Sequence, residues 1–246
     1  MNRFVRQAAI ACIACVALAC VFSGCDPGPG GGSLPVYSFD QTESSRAGYR
    51  RTTITSAGTV FVHDFEEYSL QLADTDPKVV VGRTQFGNGK ICAIEGQSPA
   101  AYLAADMGSE MPAYEVFRAD RQPPFDWRHA SFQKMRLTVP VGPAANKVTI
   151  DPAVIRDVVS TLSDGTPAPP FTVETPVGNG NVHSLLLWSE QLPGLVFSPA
   201  VYLDPAGQVY LAENLAAIQF KGANQSIRAR WIPASAAFTE WSKTAD

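Results

Sequence analysis

The densest run of side chains able to do chemistry is His63-Asp64-Phe65-Glu66-Glu67, an imidazole and three carboxylates within five residues. Gathered by a turn, His63, Asp64, Glu66 and Glu67 would offer the imidazole and hard oxygen ligands that divalent ions take, or an acid and base pair. On a strand, successive side chains point to opposite faces, so His63 and Asp64 would diverge and the run would be a solvated acidic turn. A second mixed cluster, Asp126-Trp127-Arg128-His129, follows Pro123-Pro124-Phe125. Prolines stiffen this loop, and Phe125, Trp127 and Arg128 are residue types that dominate interface energetics when exposed. The loop is therefore either a partner-recognition surface or, with its rings turned inward, a pair of core plugs.

Other chemistries have little to build on. The histidines are His63, His129 and His183, and none stands in a recognised metal-ligand spacing. The body has no Gly-x-Ser-x-Gly elbow, phosphate loop or dinucleotide glycine pattern. Gly178-Asn-Gly-Asn181 reads as a turn, because no helix follows to present its amides to a phosphate. No catalytic residue and no dissociable cofactor is assigned.

The chain has 246 residues, 46% of them apolar and 17% charged, enough for one large domain or two small ones. Met1 to Gln7 carries Arg3 and Arg6 and no acid, and Ala8 to Phe22 is an uncharged run of fifteen. These are the n-region and h-region of a secretory signal, too short for the about 20 residues of a spanning helix. Without the first twenty-four residues, 17 basic residues face 23 acidic ones, a balance of −6. That sign argues against nucleic acid and against electrostatic adhesion of the body to anionic lipid.

Phe22-Ser23-Gly24-Cys25 resembles the lipobox of bacterial lipoproteins, with Phe22 in place of the usual Leu. The resemblance implies cleavage between Gly24 and Cys25, a diacylglyceryl group on the Cys25 thiol, and acylation of the new amine. Two or three acyl chains anchor stably where one is marginal. Residues 1–24 are then a signal peptide, and the protein sits on the extracytoplasmic side of a bacterial cell membrane. Asp26 directly after the lipidated cysteine resembles the inner-membrane retention signal of some two-membrane bacteria. Residues 25–36, rich in Gly and Pro, form a flexible tether. Four of the five cysteines lie at or before the cleavage point, which leaves Cys92 in the strand-like Lys90-Ile-Cys-Ala-Ile94 as a buried small hydrophobe.

The body must position whatever site it holds on short β-branched and aromatic runs. Arg51–Ser56, Thr59–His63, Lys78–Thr84, Lys90–Ile94, Tyr114–Arg118 and Phe132–Val139 read as strands, with Phe86-Gly-Asn-Gly-Lys90 closing a hairpin. Ser98-Pro99 opens a short helix to Met107, or a strand through Tyr102 and Leu103. The clearest helix is Asp151 to Leu162, capped by Asp151, opened by Pro152, with an apolar stripe of Val154, Ile155, Val158, Val159 and Leu162. Val182–Trp188 and Leu195–Leu203 read as buried strands, and Asp204-Pro-Ala-Gly207 as the turn leading to Gln208–Leu211. A last helix from Pro233 to about Lys243 would lay Ala237, Phe238 and Trp241 on a sheet.

The expected fold is α+β, a mostly antiparallel meander of hairpins with two or three short helices packed on it. A β-rich half, 37–143, precedes an α+β half, 144–246, in two domains or one. The stretch Val148–Leu162, with Leu185–Leu195 and the Tyr-Leu hairpin after it, resembles uncharacterised lipoproteins of Gram-positive envelopes. That resemblance implies envelope location only. The expected function is a membrane-anchored envelope lipoprotein with a noncatalytic binding or structural role, its partners the membrane through the anchor and another envelope protein. The alternatives are an exported hydrolase or metal-dependent enzyme with a site dispersed in sequence, and a solute-binding lipoprotein. The last would need more helices than the chain offers.

Overall fold

The computed structural model of the chain describes residues 33–45, 50–73, 77–106, 114–138, 146–176, 182–214, 217–221 and 224–243. The signal segment, Gly24, Cys25, most of the tether, Met107, Gly108 and the Gly178–Asn181 turn lie outside them. Pro35–Asp246 is one compact unit. It is α+β, dominated by antiparallel strands, with two short helices among the described residues packed against a sheet.

β1 (Val36–Glu43), β2 (Arg50–Ser56), β3 (Thr59–His63), β8 (Tyr114–Ala119), β7 (Tyr102–Asp106), β6 (Lys90–Ala93) and β5 (Val79–Thr84) close in that order into a barrel. All neighbours are antiparallel except the closing pair, where Val36 and Tyr37 lie parallel to Arg83 and Thr84. Gly82 makes that closure feasible, since a Cβ there would meet the Tyr37 ring at 2.4 Å. Side chains at alternate positions fill the barrel: Ile54, Phe61, Ile91, Leu103, Ala105 and Phe117, with Tyr37, Phe39 and Val81 against them.

A second sheet runs β10 (Lys147–Thr149), β9 (Phe132–Thr138), β12 (Val182–Ser189), β14 (Ala200–Leu203), β15 (Val209–Ala212), β18 (Ile232–Pro233). β13 (Leu195–Phe197) joins β12 and also pairs with β4 (Leu70–Leu72), which leaves the barrel half to do so. β11 (Thr172–Pro176), β17 (Asn224–Arg228) and β16 (Ala217–Lys221) form a small third sheet. The outer wall of the barrel meets the second layer through Cys92, Ile94, Tyr102, Ala104 and Val116, packed on Leu70, Leu192 and Leu195. β7 is consequently buried at all five positions, on both faces. β8 is the last barrel strand in sequence, and β9 continues the second sheet that β4 has already joined.

Helix α1 (Pro152–Asp164) starts where expected: the Asp151 carboxylate accepts the Ala153 N–H at 2.8 Å, and Gly165 ends it. Its stripe of Ile155, Val158 and Leu162 is buried on Met135, Leu137, Leu185 and Leu187 of the sheet. α2 (Ala236–Lys243) begins later than expected, capped by Ser235, whose hydroxyl accepts the Phe238 N–H at 3.0 Å. Phe238 is buried and Trp241 packs beside it, but Ala237 faces solvent.

One open alternative is decided, for the strand, and one expectation is corrected. Ser98 opens a turn, its carbonyl accepting the N–H groups of Ala101 and Tyr102, and the chain continues as β7 instead of a helix. Burial on both faces outweighs the weak helix signal of a Ser-Pro start. The run Leu195–Leu203 is two strands, because Ser198-Pro199 interrupts the ladder between β13 and β14. Cys92 is fully buried, as a small hydrophobe would be.

Candidate functional site

The acidic run does not fan out into solvent. β3 ends at His63, whose ring turns into the mouth of the barrel, 5.6 Å from Phe117 and 4.4 Å from Tyr68, with Nδ1 2.9 Å from the Val116 carbonyl. Asp64 turns the other way, as strand alternation requires. It accepts hydrogen bonds from the Ser44 hydroxyl, the Phe65 N–H at 2.8 Å and Arg51 Nη1 at 3.2 Å. Burial would raise its pKa, but these donors together outweigh burial and hold the carboxyl below the usual range. Arg51 reaches on to Asp120 at 2.9 Å.

The chain then makes one 3-10 turn, Glu67–Ser69, which carries Glu67 wholly out of water. Its carboxylate accepts Arg118 Nε at 2.5 Å and the Asp64 N–H at 3.0 Å. Burial pushes the Glu67 carboxyl up, against the lowering influence of Arg118. Arg118 also donates to the carbonyls of Ala119 and Gln122. The turn is stitched to the second layer by Ser69, which donates to Asn214 and to the Glu213 carbonyl, and by Asn214 Nδ2 on the Phe65 carbonyl at 2.8 Å. The picture of His63, Asp64, Glu66 and Glu67 as a solvated turn is thereby corrected. As metal ligands they diverge, and among the described residues no three His, Cys, Asp or Glu side chains converge in a metal-binding arrangement.

Trp127 is a core side chain. Its ring is 4% exposed and stacks on Phe197 with centroids 4.9 Å apart, and its Nε1 donates to Glu213 at 2.8 Å. Phe125 is half-buried, edge-on to Phe132. The loop as a recognition surface led by exposed Phe125 and Trp127 is thus corrected: Trp127 is part of the core cluster under α1, and Phe125 packs against both that cluster and the one on the outer barrel wall. Arg128 remains outside, 4.3 Å above the Trp127 ring and 3.1 Å from Glu213.

The two sequence clusters nevertheless share one feature. Glu66, Pro124, Asp126, Arg128, His129 and Glu213 rim an open cleft of about 340 Å³ floored by Phe125 and Trp127. Within it His129 Nδ1 lies 2.7 Å from Asp126, with both side chains exposed. The hydrogen bond with His129, ahead of a small opposing desolvation, lowers the Asp126 carboxyl. An imidazole held at Nδ1 by a carboxylate presents Nε2 outward, so the pair can relay a proton or orient a polar ligand. Sequence reasoning missed Arg51, Arg118, Glu213 and Asn214, which complete these networks from 13 to 149 positions away. The only signal for Glu213 is its place at the end of an apolar strand. A larger cleft, about 720 Å³, lies elsewhere between β4, β5, β6 and the Pro193-Gly194 turn, and is lined mainly by apolar side chains.

Comparison with protein-family models, with curated proteins and with solved structures finds no match.

Proposed function

We propose that the chain is a lipid-anchored envelope protein on the extracytoplasmic side of a bacterial membrane, with its β-rich body in a noncatalytic binding or structural role. The observation that carries the anchor is the sequence Phe22-Ser-Gly-Cys25 behind an uncharged run of fifteen. The start of the compact unit at Pro35 supports it, since ten residues of Gly-rich and Pro-rich chain fit a spacer. The binding role is favoured by the bonding of the polar groups. His63, Asp64, Glu67 and Arg118 serve the junction of barrel and sheet, while Glu66, Arg128 and His129 face the cleft. The membrane, through the lipid on Cys25, and a second envelope protein are the proposed partners, and covalent lipid is the only proposed prosthetic group.

The exposed His129–Asp126 pair favours a second reading, an exported hydrolase in which His129 is the base. Among the described residues His129 bonds to Asp126 and to no hydroxyl or thiol that could serve as a nucleophile. The test of the first reading is metabolic labelling with a fatty acid in cells making the natural chain or Cys25→Ser. Label on the natural chain and none on the variant is expected. Equal label on both would overturn the anchor.

A further inference from the structure

The outer wall of the barrel carries a surface that the acidic overall balance conceals. At the seam where β1 meets β5, Val36 stands beside Arg83, and Arg83 stands directly opposite Lys90 of β6. Antiparallel partners share a face, and Ile91, the next residue on β6, points into the barrel. Val36, Arg83 and Lys90 therefore form one outward row. Like charges opposite each other on a sheet repel, and neither cation has an ion-pair partner among the described residues. Asp106, the β7 neighbour of Lys90, is 8% exposed and so contributes little surface of its own. Toward the other end of β5, Lys78 is exposed next to Val79 and Val80, which are 58% and 39% exposed, and Val36 is 56% exposed.

We infer that this seam is a membrane-contact face, laid against the anionic headgroups of the bilayer that holds the lipid of Cys25. The inference rests on the anchored reading above and deepens it. Two observations choose this occupant. The face combines cations that form no ion pair among the described residues with Val36 and Val80, the valines whose register turns them outward, which suits a surface presenting anionic headgroups over acyl chains. It also lies where the tether enters the body: Val36 begins β1 eleven residues after Cys25, within a reach of at most about 36 Å. The tether joins the body at the start of β1, and the strand paired with β1 at that point is β5. Once anchored, the body is held at high local concentration against the membrane, so a weak face suffices to orient it.

The test uses the lipidated chain reconstituted in vesicles, with Val80→Cys or, on α2, Glu240→Cys carrying an environment-sensitive dye. Cys92 is fully buried and so is expected to take no label. Quencher-bearing lipids should quench position 80 strongly and position 240 hardly at all in phosphatidylglycerol vesicles. Lys78→Gln, Arg83→Gln and Lys90→Gln should each reduce the contact about fivefold, without moving the melting midpoint. Equal quenching at the two positions would overturn the proposal. Mass spectrometry of the same samples reads the lipid on Cys25 separately. Lipid present with position 80 unquenched sinks the face and leaves the anchor. Lipid absent with position 80 quenched on added vesicles sinks the anchor and upholds the face. Lipid absent without vesicle binding overturns both.

Discussion

The acidic run His63–Glu67 and the loop Pro123–His129 look alike in sequence, each a short stretch of charge and aromatic rings, yet the fold treats them differently. In the first, the charges go inside: Glu67 is fully buried against Arg118, and Asp64 is tied to Ser44 and Arg51. In the second, the rings go inside while Asp126, Arg128 and His129 stay at the surface. The difference follows from position. The acidic run leaves a barrel strand at the junction with the second layer, where a returning cation, Arg118, awaits it from β8. The loop crosses from the barrel to β9 over the edge of two apolar clusters, where only its rings can be absorbed. Side-chain inventory names the groups; the junction decides which of them reach solvent.

The sharpest break of this contrast removes the cation from the first region. Arg118→Met leaves Glu67 buried without its partner and should cost about 3 to 5 kcal/mol. Glu67→Leu with Arg118→Met should recover most of that loss, because two apolar groups replace a desolvated pair. Denaturant melts of the single and double variants measure both. A single variant as stable as the natural chain would mean that water reaches Glu67. The same region has an acid signature. Asp64 has a folded pKa below its unfolded value, so its contribution is present above the unfolded pKa and lost as pH falls through the folded one. Glu67 runs the other way: its raised pKa means its ionisation in the folded state disfavours folding as pH rises above the unfolded value.

A smaller effect is expected at the floor of the second region. Trp127→Phe keeps a ring against Phe197 but deletes the donor to Glu213, and should cost about 1 to 3 kcal/mol. Arg128→Ala, at the surface, should cost less than about 1 kcal/mol. If the two substitutions matched in melts, the division between buried rings and exposed charges in this loop would be wrong.

What the sequence disclosed was local. α1 was legible because its cap, its proline and its stripe lie within fourteen residues, and the β5–β6 hairpin because Phe86-Gly-Asn-Gly joins its strands directly. The barrel closure was not, because it pairs Val36 with Arg83, parallel and forty-seven positions apart, with no turn to announce it. β7 was half-missed for the related reason that burial on both faces erases the alternation by which strands are recognised. The cleft was legible in part: Phe125, Trp127, Arg128 and Glu66 were singled out, but that Glu213 joins them depends on β15 ending beside the loop.

The smallest effect concerns the exposed pair that distinguishes the second region from the first. Asp126 and His129 are 59% and 84% exposed, so water screens their attraction, and neither Asp126→Asn nor His129→Ala should move the melting midpoint. Their coupling should still appear in titration. The hydrogen bond with His129 lowers the Asp126 carboxyl, so in His129→Ala the Asp126 midpoint, followed by NMR of its side-chain carboxyl carbon, should rise toward that of an ordinary aspartate. Such a rise with an unchanged melt would place the pair at the surface as a ready proton-handling or ligand-orienting group. An unmoved midpoint would mean that the 2.7 Å contact is not held in solution, and the hydrolase reading would lose the observation that favours it.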